Sequence, residues 1–134
     1  MPRATQLELR LTNQTGVLAK LCRDLATGGV NLLAIAAPGG QEKQNDVVRL
    51  LVTNRDLATS ALTRAGYTFS VDEVLFVELK NRPGALARAV EKLARAGIDI
   101  QFAYATAHSR AQKTAAVVAV RPEDLDRADR LLGR

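Results

Sequence analysis

The chain repeats itself, and that repetition limits its fold more than any other feature. Displaced by 68 positions, "LTNQTGVLAKLCRDLATGGVNLLAIAA" (Leu11–Ala37) falls on "LKNRPGALARAVEKLARAGIDIQFAYA" (Leu79–Ala105) without a gap. Nine of these 27 pairs are identical, among them Asn13/Asn81, Gly16/Gly84, Leu18/Leu86, Leu25/Leu93 and Gly29/Gly97. Lys20/Arg88, Val30/Ile98, Asn31/Asp99 and Leu32/Ile100 are close in type, and the same offset matches Val52/Val120, Asp56/Asp124 and Leu57/Leu125. Self-similarity over so long a register is the mark of a tandem duplication of one supersecondary unit. A unit of ~60 residues is marginal alone, so the copies are expected to share a core or a sheet.

Each copy has the same order of elements. "QLELRLT" (Gln6–Thr12) alternates leucine with polar residues, the period of a half-buried strand, and "EVLFVELK" (Glu73–Lys80) is its counterpart. Beyond a turn of form Asn-x-x-Gly, Leu18, Leu21, Cys22 and Leu25 fall at helical spacing, as do Leu86, Ala89, Val90 and Leu93. Gly29 and Gly97 suit the left-handed position that closes a helix. Second strands are expected at Asn31–Ala37 and Asp99–Thr106, lying beside the first strands, and third strands at Asp46–Thr53 and Thr114–Val120, after the connectors "PGGQEKQN" and "HSRAQK". Second helices follow from Asp56 and after "RPED", where Pro122 suits a first helical turn and Glu123 and Asp124 favour its positive end. "YTFSV" (Tyr67–Val71) supplies a fourth strand to the first copy, and the second copy lacks one. The expected class is therefore α+β: two ferredoxin-like βαββαβ units, residues 1–71 and 72–134, each an antiparallel sheet with its helices on one face. The bare faces and edges of such units favour a dimer.

A formal charge of +5 raises nucleic acid as a partner. The charge is spread, with eight Lys/Arg against five Asp/Glu in residues 1–68 (+3) and eleven against nine in residues 69–134 (+2), so no basic tail or arm stands out. An RNA-binding sheet of this topology would stack bases on aromatic side chains. Phe102 and Tyr104 alternate suitably, but "TAAVVAV" occupies the strand that would need the basic-aromatic consensus, and the chain has only five aromatic residues. No apolar run approaches the ~18 residues of a membrane span. The start "MPRATQLELR" has no secretory pattern, and a single cysteine cannot form an internal disulfide. These point to a soluble, cytoplasmic chain with no nucleic-acid or membrane partner.

Cys22 lies on the apolar helical stripe opposite Val90, so it is expected to be a small buried hydrophobe. His108, the one histidine, has no second ligand-type residue nearby, and no phosphate-cradling glycine motif is present. The sequence supports neither catalysis nor a cofactor or metal.

"VELKNRPGALARAVEKLARAGIDIQFAYA", with its degenerate twin "LTNQTGVLAKL", resembles the ACT domain, a small ligand-sensing module of amino-acid metabolism. The resemblance covers nearly the whole chain as two copies, similar in form to a tandem ACT protein without an attached enzyme. It implies a non-catalytic regulatory protein that binds an amino acid at the strand–helix turns where units meet. Asn13, Gln14, Thr15, Gly16, Val17 and Leu18 form one such site, and Asn81, Arg82, Pro83, Gly84, Ala85 and Leu86 the other. Asn31 and Asp99 are added because the family's asparagine at that position commonly contacts the ligand.

The chemistry of the turn agrees with this. Unpartnered N–H groups at a helix start stabilise a carboxylate, a glycine admits close approach, and an asparagine oxygen accepts from an ammonium. The same turn could equally be conformational, with Pro83 and Gly84 only shaping the backbone. Two other functions are set beside the sensor: a regulatory subunit docking on a biosynthetic enzyme such as an acetolactate synthase, and a nucleic-acid-binding module.

Overall fold

The structure, a computed structural model, describes residues 3–12, 14–37 and 45–133. The connector "PGGQEKQN" and Asn13 lie wholly or mostly outside that set. The chain divides into two compact units, one spanning Thr5–Asp72 and one running from Glu73 onward together with the start of the chain through Ala4.

In the first unit β1 (Arg3–Thr12, joining at Thr5) is followed by α1 (Val17–Thr27), β2 (Leu32–Ala36), β3 (Asn45–Val52) and α2 (Arg55–Arg64). In the second, β4 (Phe69–Lys80, from Glu73) leads to α3 (Ala85–Arg95), β5 (Ile100–Thr106), β6 (Lys113–Val120), a single 3-10 turn (Pro122–Asp124) and α4 (Leu125–Leu132). The strands are antiparallel in the orders β2-β3-β1 and β4-β6-β5. The fold is the tandem ferredoxin-like α+β arrangement that the repeat implies.

One expectation about the sheet needs correcting. The second strand does not lie beside the first: β3 separates β2 from β1, and β6 separates β5 from β4.

Each unit has its own core. Leu7 and Leu9 of β1 face Val48 and Leu50 of β3, and Leu21, Leu25, Ala58 and Leu62 close over them from α1 and α2. Leu75 and Val77 do the same with Ala116 and Val118 under Leu93 and Ala128. Both helices of a unit thus cover one sheet face, as alternating strand leucines require. The helical stripe is narrower than its spacing suggests. Leu21 and Leu25 are buried, whereas Leu18 is 43% exposed and Cys22 is exposed too. Cys22 is therefore not the buried hydrophobe that its place in the pattern implied: of this stripe only Leu21 and Leu25 reach the core.

Helix ends follow the expected chemistry. Gly29 (φ 75°) and Gly97 (φ 72°) take the left-handed conformation, and the next residues donate back, Val30 N to Leu25 O and Ile98 N to Leu93 O, both at 3.0 Å. α2 begins on Asn54, whose Oδ1 accepts from Leu57 N at 3.1 Å.

The duplication reaches finer detail. β2 and β5 each change register at the same place, between Leu32 and Ala34 and between Ile100 and Phe102. Such a step leaves one residue extra to the ladder and bends the strand. Of the two strands read separately as "YTFSV" and "EVLFVELK", Phe69–Val71 of the first and all of the second belong to one continuous strand, β4.

The second unit has no strand after α4 among the described residues, and Arg3 and Ala4 group with it. The Arg3 guanidinium holds that grouping together. It donates to Asp126, to Asp129 Oδ2 at 2.7 Å and to Glu73 Oε2 at 3.0 Å. Asp129 is itself buried.

Candidate functional site

The strand–helix turns are built alike in both units. Gly16 sits at φ 89°, ψ −11° and Gly84 at φ 88°, ψ −11°, each immediately before a helix. The same hydrogen bonds define the two turns: Gln14 N to Thr12 O and Arg82 N to Lys80 O, then Val17 N to Gln14 O and Ala85 N to Arg82 O. Thr15 in place of Pro83 leaves this geometry unchanged. Glycine is required at this φ, which other residues adopt only under strain. Neither α1 nor α3 has a side chain capping its first turn, so the amide groups that start these helices are met by no side chain.

Beside the second turn lies a cavity of about 220 Å³, lined by Asn81, Arg82, Ala85 and Leu86 of the expected site. Leu79, Lys80, Ala105, Thr106, Ala107 and Thr114 complete its wall. Leu86 stands 44% exposed at its mouth, and Leu18 is exposed to the same degree at the corresponding place in the first unit. Val17 and Ala85 are half-buried.

The Asn81 side chain has a structural task. Its amide nitrogen donates to Ala111 O at 2.8 Å and His108 O at 3.2 Å, which ties the β5–β6 connector to the turn. The amide oxygen is outside those two bonds. Thr114 Oγ1 donates to Thr106 O and closes the far side.

A family model described as an ACT domain pair matches residues 3–131. The chain belongs to the ACT domain-pair family. This ACT pair aligns with a solved protein of Bacteroides thetaiotaomicron at 25% identity and TM-score 0.85, over 98% of this chain and 88% of that one. It has the fold of the aspartate kinase regulatory subunit of Thermus thermophilus in ligand-free form, at 18% identity, TM-score 0.69 and 99% and 92% coverage. The corresponding subunit of Thermus flavus aligns at 18% identity and TM-score 0.64, with the same coverage. No curated protein sequence matches the chain.

The structure does not bring every residue expected in an ACT site together within one unit. Asn31 and Asp99 precede β2 and β5, whose first residues pair with Val52 and Val120. The turns follow Thr12 and Lys80, which pair with Asn45 and Lys113 at the other end of the same central strands. Seven residues of strand at about 3.3 Å each put roughly 23 Å between the two ends. Asp99 is engaged elsewhere, accepting from Arg121 at 2.8 Å. Asn31 is exposed, and its backbone oxygen accepts from Thr53 N. Pro83 and Gly84 shape the turn without lining the cavity, and Asn13 lies outside the described residues.

The residues missed by sequence reasoning are Ala105, Thr106, Ala107 and Thr114. Strand register carries their signal, because in the order β4-β6-β5 the end of β5, not its start, comes level with the turn.

Proposed function

We propose that this ACT pair is a non-catalytic regulatory protein that binds a free amino acid at its strand–helix turns. The observation that carries the reading is the cavity at the second turn, where a side-chain-free helix start, an asparagine oxygen and an apolar patch converge. The ligand's carboxylate would take the amides of α3's first turn that follow Ala85, whose own N–H is given to Arg82 O, at the end where the helix dipole favours an anion. Its ammonium would meet the Asn81 oxygen, and its side chain would rest on Leu86 and Ala85. A small apolar group buried there contributes about 1.5–3 kcal/mol. The first unit, with the same turn geometry and Leu18, offers the same chemistry. Binding would order the turn and the connector tied to it, a change that a dimer or a partner could sense.

A second reading makes the chain the regulatory subunit of an enzyme of amino-acid metabolism. It is supported by the Thermus neighbours, which are regulatory subunits of aspartate kinase, a different enzyme from the acetolactate synthase set beside the sensor as an example. Co-purification of a large catalytic chain favours this reading, and a self-contained dimer on light scattering favours the first.

The test is calorimetric titration of the free amino acids into the full chain and into Leu86→Glu and Leu18→Glu variants. Saturable binding of one amino acid, lost in one or both variants, supports the reading. Binding that survives both substitutions together contradicts it.

A further inference from the structure

The second unit carries a larger cavity, about 370 Å³, whose wall leaves the turn and runs down α3 through Arg88, Ala89 and Lys92. Its volume lies in the range of sites for small organic ligands. Four cations surround it, Lys80, Arg82, Arg88 and Lys92, against one carboxylate, Glu78. Glu78 is already paired with Lys113 at 3.1 Å. None of the four cations has an acidic side-chain partner among the described residues.

Local preference argues against this arrangement. Arg88 and Lys92 are like charges one helical turn apart, a spacing that costs helix stability. Arg82 and Arg88 also crowd the positive end of α3, where the helix dipole disfavours cations. The Arg88 guanidinium folds back so far that a Cβ on Gly84 would stand 3.1 Å from it. Positive potential gathered at such cost in a concave place is relieved by a bound anion.

The first unit is an internal control. At the same positions it has Thr12, Gln14, Lys20 and Asp24. Its one cation, Lys20, is bonded to Asp24 at 2.8 Å and lies 5.3 Å from the centre of the Tyr67 ring. The shared fold therefore does not require the four cations.

We propose that this cavity is a second site, for a small organic polyanion carrying two or more phosphate or carboxylate groups. The flat forks of Arg82 and Arg88 suit two-point bonds to either group, and the lysines add point charge. Val77, Leu79, Ala89 and Leu132 give the ligand's carbon skeleton an apolar floor. The site adjoins the amino-acid site at the turn, sharing Leu79, Lys80, Arg82 and Ala85 with it, and is set apart by Arg88, Ala89 and Lys92, which line this cavity alone.

The experiment titrates inorganic pyrophosphate and citrate into the full chain by calorimetry at about 20 mM salt, where screening is weak. One saturable site per chain is expected for at least one probe, and the tighter of the two identifies the anionic group. The double variant Arg88→Gln/Lys92→Gln, checked for folding by circular dichroism, is expected to bind at least about tenfold more weakly. Lys20→Gln, at the matching place in the first unit, is expected to bind unchanged. Leu86→Ala, which removes the exposed leucine of the turn site without adding charge, should also retain polyanion binding. Failure of both probes to saturate overturns the proposal, as does equal binding by the double variant. Loss of binding in Leu86→Ala overturns it too, by placing the anion at the turn.

Discussion

At the level of single residues, two copies of one turn within one chain allow a direct comparison. Pro83 and Thr15 occupy the same position in turns whose glycines agree to within about a degree in φ. Thr15→Pro should thus fit without strain and stabilise the first unit by about 0.4–1 kcal/mol, through a less flexible unfolded chain. Gly84→Ala should cost about 1–2 kcal/mol without any ligand, because alanine at φ 88° is strained. Chemical denaturation checks both, and an unchanged midpoint for Gly84→Ala would contradict the required left-handed turn. Asn81 and Leu86 at the cavity, and the glycine that shapes its turn, were legible in the sequence, since repetition marked them. Thr106 and Thr114 were not, because neither carries a signal apart from its place in the register. Asn31 and Asp99 stand at the other end of each unit's sheet from its turn, because closeness in the chain to a strand start says nothing about which end of the sheet that start occupies.

Among elements, the order of strands and helices followed from leucine periodicity, and helix ends from glycine. The joining of two expected strands into β4 did not. Exposed Ser70, Asp72 and Glu73 interrupt the apolar pattern, yet the strand runs through them. The segment leading into β4 is tied to α1 by a small polar group with a pH signature. Tyr67 Oη donates to Asp24 Oδ2 at 2.8 Å, and Lys20 bonds the same carboxylate. Hydrogen bonds from Lys20 and then Tyr67 hold the Asp24 pKa below its ordinary value, while burial and then Asp24 hold the Tyr67 phenol above its own.

A lowered carboxyl pKa stabilises fully above the ordinary carboxylate range and is lost as pH falls through the lowered value. A raised phenol pKa stabilises fully below the ordinary phenol range and is lost as pH rises through the raised value. Tyr67→Phe should cost about 0.5–1.5 kcal/mol near neutrality. Melting curves across pH should show that difference shrinking at both extremes, and a difference constant with pH would contradict the assignment.

For the whole molecule, the chain's own start belongs with its second half. Arg3→Ala leaves Asp129 buried without its guanidinium partner, a situation more costly than losing an exposed pair. Amide exchange should quicken through α4 in that variant while α1 and α2 keep their protection. Equal quickening in all three helices would contradict the grouping of Arg3 with the second unit. This feature could not be found from periodicity, because an arginine before an alternating strand reads only as a solvated end.

The central claim is that an amino acid binds at the turns, and thermal melting of the full chain against each free amino acid tests it most directly. A ligand present at a hundredfold excess over its Kd adds about 2.7 kcal/mol to the folded state. The account predicts that one amino acid, or a few of similar side chain, raises the Tm and that Leu86→Glu together with Leu18→Glu abolishes the rise. No shift with any amino acid, or a shift that the two substitutions leave intact, would contradict it.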